Sequence, residues 1–474
     1  MKYISFLFTF ILFMGCSDTS SYRKSLKEVR KSRPNIILCM ADDLGWGDPG
    51  FNGNQVIVTP QLDDMASRGF VFDRFYASSP VCSPTRASCL TGRHPYRYGI
   101  FGANEGHLPD QEITLAELLR AQGYRTGHFG KWHLGTLTQD IIDSNRGGRD
   151  QGEHYAPPWE HGFDVCFSTE AKVPTYDPMI TPVGWMGNTD PSKPFGTFYW
   201  DEKGDIVKEN LEGDDSRIIM DRAIPFIETA AQQGTPFFAV IWFHAPHLPV
   251  LADSLKQLMY YGFSDEERHY YGCITAMDEQ MGRLRKTIRD LGIYEQTMIW
   301  FTSDNGPEGP EQNKDRPGSA GPFKGRKRSL YEGGVRVPGI LEWPAFIKAP
   351  GHTDVPCSTL DYLPTILEVL GIGLESSRPL DGMNILPVIF GVQERRNEPI
   401  YFESKRQLAI MYDRFKLYSK DLGASFELYD VLQDGEEQHD LAAEEPEVVQ
   451  NMSELLMQWK ASCKSSLEGN DYSD

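Results

Sequence analysis

Four apolar stretches of this chain each run out into residues able to do chemistry. IILCM ends in Ala41-Asp42-Asp43, and YRTGHFG ends in Lys131-Trp132-His133. FFAVIWF ends in His244-Ala245-Pro246-His247, and MIWFT ends in Ser303-Asp304-Asn305-Gly306. Asp42, Asp43, Asp304 and Asn305 offer hard oxygen donors, a set that suits Ca²⁺ or Mg²⁺ and not zinc. A fifth stretch, VCSPTRASCLTGR, puts Cys82 at a helix-start pattern with Arg86 four residues on. A helix N-terminus and a nearby cation lower a thiol pKa, so a reactive Cys82 is expected. The i,i+4 spacing places the head of Arg86 near it. Cys89 follows closely, and in an oxidising compartment such a pair is a hazard unless Cys82 does not stay a cysteine.

The elements that position these residues read as α/β. Continuous apolar runs suit a mostly parallel sheet covered on both faces. Ligands of such sheets bind beyond the carboxyl ends of the strands, so the polar clusters are expected to meet there. Helices lie between: TPQLDDMASRG, TLAELLRAQG with its Thr114/Glu117 capping box, and MDEQMGRLRKTIRDLG. Gly135 to Asp215 is rich in Gly, Pro, Trp and Tyr with weak periodicity, as in long functional loops. After Glu398, PIYFES, LAIMYDRFKLYS and SFELYD read as short antiparallel strands, and a helix is expected around Val448–Trp459. The fold expected is a large, mostly parallel or mixed sheet between helices, with a smaller α+β subdomain carrying an antiparallel sheet. The divisions are 1–16 export signal and lipidation cysteine, 17–33 tether, 34–396 catalytic domain and 397–474 C-terminal subdomain.

The chain has 474 residues and a net charge of −20, which argues against nucleic acid as a partner. The N-terminus MKYISFLFTFILFMGC has an apolar run too short to span a bilayer. It resembles a bacterial lipoprotein signal with Cys16 lipidated; a plain secretory signal with an incidental cysteine is the other reading. The expected location is the cell envelope, periplasm or outer membrane, with the lipid as the only membrane contact. The eight cysteines are scattered without a CxxC, so they form neither a zinc framework nor a dense disulfide scaffold.

CSPTRASCLTGR resembles the signature of the type I sulfatases of the alkaline phosphatase superfamily. RPNIILCMADDLGWGD, GYRTGHFGKWHLG, HAPHLP, TSDNG, YEGGVRVP and ELYDVLQDGEEQHDLA follow in the family's order, covering nearly everything after Arg33. The resemblance implies that a separate maturase oxidises Cys82 to formylglycine. The aldehyde hydrates, one hydroxyl attacks sulfur and expels the alcohol, and the second hydroxyl loses its proton as sulfate leaves. It implies one metal ion, Ca²⁺ with Mg²⁺ as the alternative, held by Asp42, Asp43, Cys82, Asp304 and Asn305. It assigns Arg86 to stabilising the hydrated aldehyde, Lys131 to sulfate, His133 to the second hydroxyl and His247 to the leaving oxygen, with His244 behind them. The second sulfate lysine falls on Lys327, five residues before Glu332, with Arg326 and Arg328 beside it making a basic pocket mouth.

The alcohol is less defined. Exported bacterial sulfatases commonly act on sulfated glycans, so a sulfated polysaccharide fragment is the expected partner. Trp159, Trp185, Trp200, Tyr176 and Tyr199 are candidates for stacking on sugar rings or for loop packing. Glu170, Lys172 and Asp177 are candidate sugar contacts. Three other readings stay open: a phosphatase or phosphodiesterase of the same superfamily, a glycan-binding lipoprotein without turnover, and an N-sulfatase acting on S–N bonds.

Overall fold

The computed structural model describes residues 15–144, 146–310, 316–374 and 378–472. The expected export segment, residues 1–14, and the side chain of Cys16 lie outside them. The four apolar runs form the strands Asn35–Ala41, Arg125–Lys131, Phe237–Trp242 and Thr297–Ser303. They are contiguous in a nine-stranded sheet, in the order 297–303, 35–41, 237–242, 125–131, and they pair in parallel. Val165–Thr169 adds a fifth parallel neighbour, and antiparallel strands Gly339–Glu342 and Tyr199–Asp201 extend the two sides.

Side chains alternate along Asn35–Ala41. Ile36, Leu38 and Met40 enter one core, which also holds Leu115, Leu119, Trp132, Trp242, Trp300 and Ile366. Ile37, Cys39 and Ala41 enter the other, with Leu62, Met65, Ile218, Ile227, Met277 and Leu284. Both faces are therefore covered by helices, which is why these strands carry no polar alternation.

The stretch expected to be a tether is instead helical over Gly15–Ser32. Leu26 and Val29 are buried, Tyr22 packs on Phe346 and Phe390, and Arg30 pairs with Glu368 (2.7 Å). Tyr22, Leu26 and Val29 are spaced i, i+4, i+7, one face of a helix, hidden in a mainly polar composition. The seven described cysteines are all free and buried.

The C-terminal part is a four-stranded antiparallel sheet in sequence order, Ile400–Ser404, Gln407–Tyr412, Phe415–Ser419 and Glu427–Asp430, followed by the helix Pro446–Leu467. A buried ion cluster ties this sheet to the rest of the chain. Lys416 Nζ lies 3.0 Å from both Glu332 and Glu437, and Tyr76 donates to Glu332 (2.9 Å). Removing one partner of a buried charge cluster leaves the others uncompensated, at about 3–5 kcal/mol. Lys416→Ala is therefore expected to destabilise by that amount in denaturant unfolding; a loss under about 1 kcal/mol would show the cluster to be expendable.

Candidate active site

The strand ends are level, so the turns after them converge. Met40 stands opposite both Thr302 and Trp242, and Trp242 opposite Gly130. Gly130 has φ 103, and a Cβ there would lie 1.9 Å from the Trp242 carbonyl oxygen; only glycine lets these strands approach. Asp43 and His133 take left-handed backbone directly after their strands (φ 66 and 58). Lys327 arrives by another route. Its N–H donates to Pro307 O (3.1 Å), and Gly306 N–H donates to Gly334 O (3.0 Å). A Cβ on Gly306 would stand 1.9 Å from Gly333 O, so the Asp304-Asn305-Gly306 turn and the Glu332-Gly333-Gly334 segment clasp backbone to backbone.

The structure brings Asp42, Asp43, Cys82, Arg86, Lys131, His133, His247, Asp304, Asn305 and Lys327 to this one edge. Ligand oxygens of Asp42, Asp43 and Asp304 lie within 4.8 Å of one another, as do ligand atoms of Asp42, Cys82 and His247. Lys131 Nζ is 2.7 Å from Asp42 Oδ2, and Lys327 Nζ is 2.7 Å from Asp43 Oδ1. Asn305 Nδ2 donates to Asp43 Oδ1 (2.7 Å). Burial alone would raise the Asp43 carboxyl; Lys327 and His247 beside it hold it below the usual range. Burial and the Asp42 carboxylate push Asp304 up to about 6, against the pull of Arg86.

Asp42 Oδ1 and Asn305 Oδ1 are buried without a hydrogen-bond partner. Unused hard oxygens inside a buried acidic cluster fit a divalent cation. The donor set favours Ca²⁺ or Mg²⁺ over softer metals.

One expectation about the Cys82 helix needs correction. The helix Cys82–Thr91 begins where expected, but Cys82 is 2% exposed, and burial raises its thiol pKa in spite of Lys131 and Lys327 nearby. Desolvation outweighs the helix terminus, so the unmodified thiol is not an activated one. Arg86 lies close enough to the Cys82 thiol for the two to interact electrostatically, but its hydrogen bonds go elsewhere. It donates to Asp304 Oδ2 (2.7 Å) and Lys131 O (3.0 Å), over the ring of Trp242.

Both histidines have one nitrogen fixed. His247 Nδ1 bonds Leu248 O (2.7 Å), leaving Nε2 3.7 Å from Asp43 Oδ2. His133 Nε2 bonds Asn104 Oδ1 (2.7 Å), leaving Nδ1 buried and unpaired. Burial holds both rings well below the ordinary histidine range. Asn104 was not legible in the sequence: it lies in a turn with φ 62, remote from every motif. His244 sits behind the site, between Asp215 (2.8 Å) and Thr169 (2.7 Å).

The expected basic mouth is partly neutralised. Arg326 donates to Glu308 O and Pro317 O, and Arg328 pairs with the Glu308 carboxylate (2.7 Å). Among the candidate sugar contacts, Glu170 is fully buried and paired with Arg146 (2.7 Å), within electrostatic reach of Lys131. Asp177 accepts from Gly213 N–H (2.6 Å), an intra-loop bond. Lys172 is half-buried beside the Trp185 ring. Tyr199 and Trp200 are packing residues: Tyr199 stacks on Phe167 at 4.1 Å, and Trp200 donates to Asp143 (2.6 Å). Trp159, Trp185 and Tyr176 remain partly exposed.

Comparison with known proteins agrees with this arrangement. The sulfatase family model matches residues 34–372, and that of the N-sulphoglucosamine sulphohydrolase C-terminal region matches residues 320–462. N-acetylgalactosamine-6-sulfatase of Mus musculus is 32% identical over 404 residues, covering 81% of this chain and 72% of its own. Arylsulfatase A of Homo sapiens is 33% identical over 388 residues, covering 78% and 70%. The crystal structure of Ps i-CgsB in complex with k-i-k-neocarrahexaose is 28% identical, with a TM-score of 0.78 over 90% of this chain and 93% of that one. With a family match that spans the whole main sheet, the chain belongs to the sulfatases and is a sulfuric ester hydrolase.

Proposed function

We propose that the protein removes sulfate from sulfated saccharides, with Cys82 converted to formylglycine and with Asp42, Asp43, Asp304 and Asn305 holding one divalent ion. The ion is calcium in this reading, with magnesium the other that such oxygens accept. What carries the reading is the buried cluster in which three carboxylates, two lysines and Cys82 meet at one sheet edge. When present, the ion supplies Lewis-acid charge and the formylglycine supplies the nucleophile. The chain's own residues do the rest. Lys131 and Lys327 hold sulfate oxygens in a site that excludes water. Arg86 and Asn305 hold Asp304 and Asp43 in place through the bonds described above. Asn104 Oδ1 accepts a hydrogen bond from His133 Nε2–H, so Nδ1 is the atom left to receive a proton. The Nδ1 bond to Leu248 O leaves Nε2 of His247 to handle the proton of the leaving oxygen.

The saccharide part rests on the relatives. One is named for N-acetylgalactosamine-6-sulfate, and one solved neighbour was crystallised with a neocarrahexaose. The match to an N-sulphoglucosamine sulphohydrolase C-terminal region gives the S–N reading one observation of its own. The lipoprotein-like N-terminus supports a location in the cell envelope, with anchoring through Cys16 and maturation by a separate formylglycine-generating enzyme.

Sulfate release should be measured for matured protein on O- and N-sulfated oligosaccharides, before and after dialysis against a chelator. Turnover is expected to fall at least about 100-fold on chelation and to return with Ca²⁺. Turnover indifferent to metal would overturn the proposed ligand set, and release from N-sulfated sugars alone would favour the S–N reading.

A further inference from the structure

Three ammonium groups feel one another's charge at this edge, and they are not equivalent. Lys131 and Lys327 are 1% and 4% exposed at the side chain, each held by a carboxylate at 2.7 Å. Lys172 is half-buried and so stands further out. Among the described residues no carboxylate lies at ion-pair distance from it, and its ammonium stands 6.0 Å from the centre of the Trp185 ring. Burial and repulsion from Lys131 and Lys327 lower its pKa, against a pull from the Cys82 thiol and the Asp42 carboxylate. In a chain with net charge −20, a half-buried lysine with no carboxylate at ion-pair distance among the described residues is conspicuous.

Both parts of this corner are held by the backbone. Lys172 lies three residues beyond Thr169, which stands opposite Lys131 in the sheet. Thr169 Oγ1 donates to Ala171 O (2.9 Å), and Thr197 Oγ1 donates to Lys172 O (3.1 Å). The Trp185 turn is closed by Asn188, whose buried amide donates to Thr181 O and Asp190 O (2.9 Å each). The backbone that carries the ring and the ammonium is therefore held in place on both sides.

We propose that Lys172 and Trp185 form a subsite for a second anionic group on the leaving alcohol, a carboxylate or a further sulfate. This rests on the sulfatase reading and narrows its substrate class to saccharides carrying two negative groups close together. The scissile sulfate goes to the deeper lysines, and the leaving group lies outward, where Lys172 stands. Trp185 offers a flat apolar face beside the charge. An ion pair in this half-buried setting is screened less by water than a surface pair, and the stronger attraction works against the cost of desolvating both partners.

The test compares leaving groups of one chemistry. Matured wild-type and Lys172→Ala proteins are assayed on 4-methylumbelliferyl sulfate, whose leaving group is neutral, and on salicyl sulfate, whose leaving group carries a carboxylate. The same pair is run on a monosulfated disaccharide, its disulfated form and its uronate-containing form. In the wild type the second anion should lower KM, and Lys172→Ala should raise KM for those substrates about 10- to 100-fold with kcat kept. KM for the singly charged esters should stay within about twofold, and Lys172→Arg should recover part of the loss. The disulfated and uronate arms tell which anion the subsite takes. Equal losses on both substrate classes would place Lys172 on the scissile sulfate and overturn the proposal. A wild type indifferent to the second anion would overturn it as well. No turnover of any ester by matured protein would sink the sulfatase reading itself, and this subsite with it.

Discussion

Cys82→Ser and Cys82→Ala are expected to lower sulfate release by on the order of 10⁴–10⁶-fold while leaving the protein folded. The stability half of this expectation comes from the setting. Cys82 is the first residue of a helix whose N-cap, Val81, makes no side-chain cap bond, so neither replacement removes a helix-ending contact. Serine is nearly isosteric with cysteine, and alanine leaves a void of one atom, so the cost should stay near 1 kcal/mol. The activity half comes from chemistry. A buried thiol with a raised pKa is a poor nucleophile, and a serine at this position would form a stable ester with no built-in exit.

The decisive readout is the tryptic peptide Phe75–Arg86, taken from protein made together with a maturase. In the wild type its mass should show loss of the Cys82 sulfur, and the extent of conversion should track specific activity across preparations. A peptide that keeps its thiol in fully active protein would remove Cys82 from the reaction. So would a Cys82→Ala protein that still turns over at a tenth of the wild-type rate.

Much of this site could be read before any coordinates. The four apolar runs turned out to be four adjacent parallel strands, because a strand buried on both faces needs no polar alternation and announces itself as a solid run. The residues just past each run then had to meet, since parallel strands in register end on one edge. The C-terminal hairpins were equally plain, with Asp413 at φ 54 turning one antiparallel strand into the next. What escaped was partnership across the chain. Nothing local ties Asn104 to His133, Lys416 to Glu332 or Glu308 to Arg328. Glu170 was a candidate for a sugar because it lies in an irregular segment, where periodicity cannot say which way a side chain turns; Arg146 turns it inward. The same holds for the first helix, whose three apolar contacts make sense only once Phe346 and Phe390 are in place.

Arg86 is where stability and activity should fail together, and the two can be separated. Its guanidinium is fully buried, bonded to Asp304 Oδ2 and Lys131 O, with Asp42 Oδ2 at 3.6 Å. Arg86→Met removes the cation and leaves Asp304 buried beside Asp42, a loss of about 3–5 kcal/mol in denaturant unfolding. Turnover should drop at least about 100-fold, because the carboxylate that Arg86 positions is a proposed metal ligand. The single variant cannot distinguish a wrecked fold from a misplaced ligand, so the double variant Arg86→Met/Asp304→Leu is the informative one. With both buried charges gone, most of the lost stability should return, as it does when a buried ion pair is replaced whole by apolar groups. Activity should not return, and calorimetric titration with Ca²⁺ should show weakened binding, since one oxygen ligand is missing. A double variant as unstable as Arg86→Met would mean that Arg86 acts through Lys131 O and Trp242 and not through Asp304. A double variant that still binds Ca²⁺ like the wild type would take Asp304 out of the metal site and leave the ion to Asp42, Asp43 and Asn305.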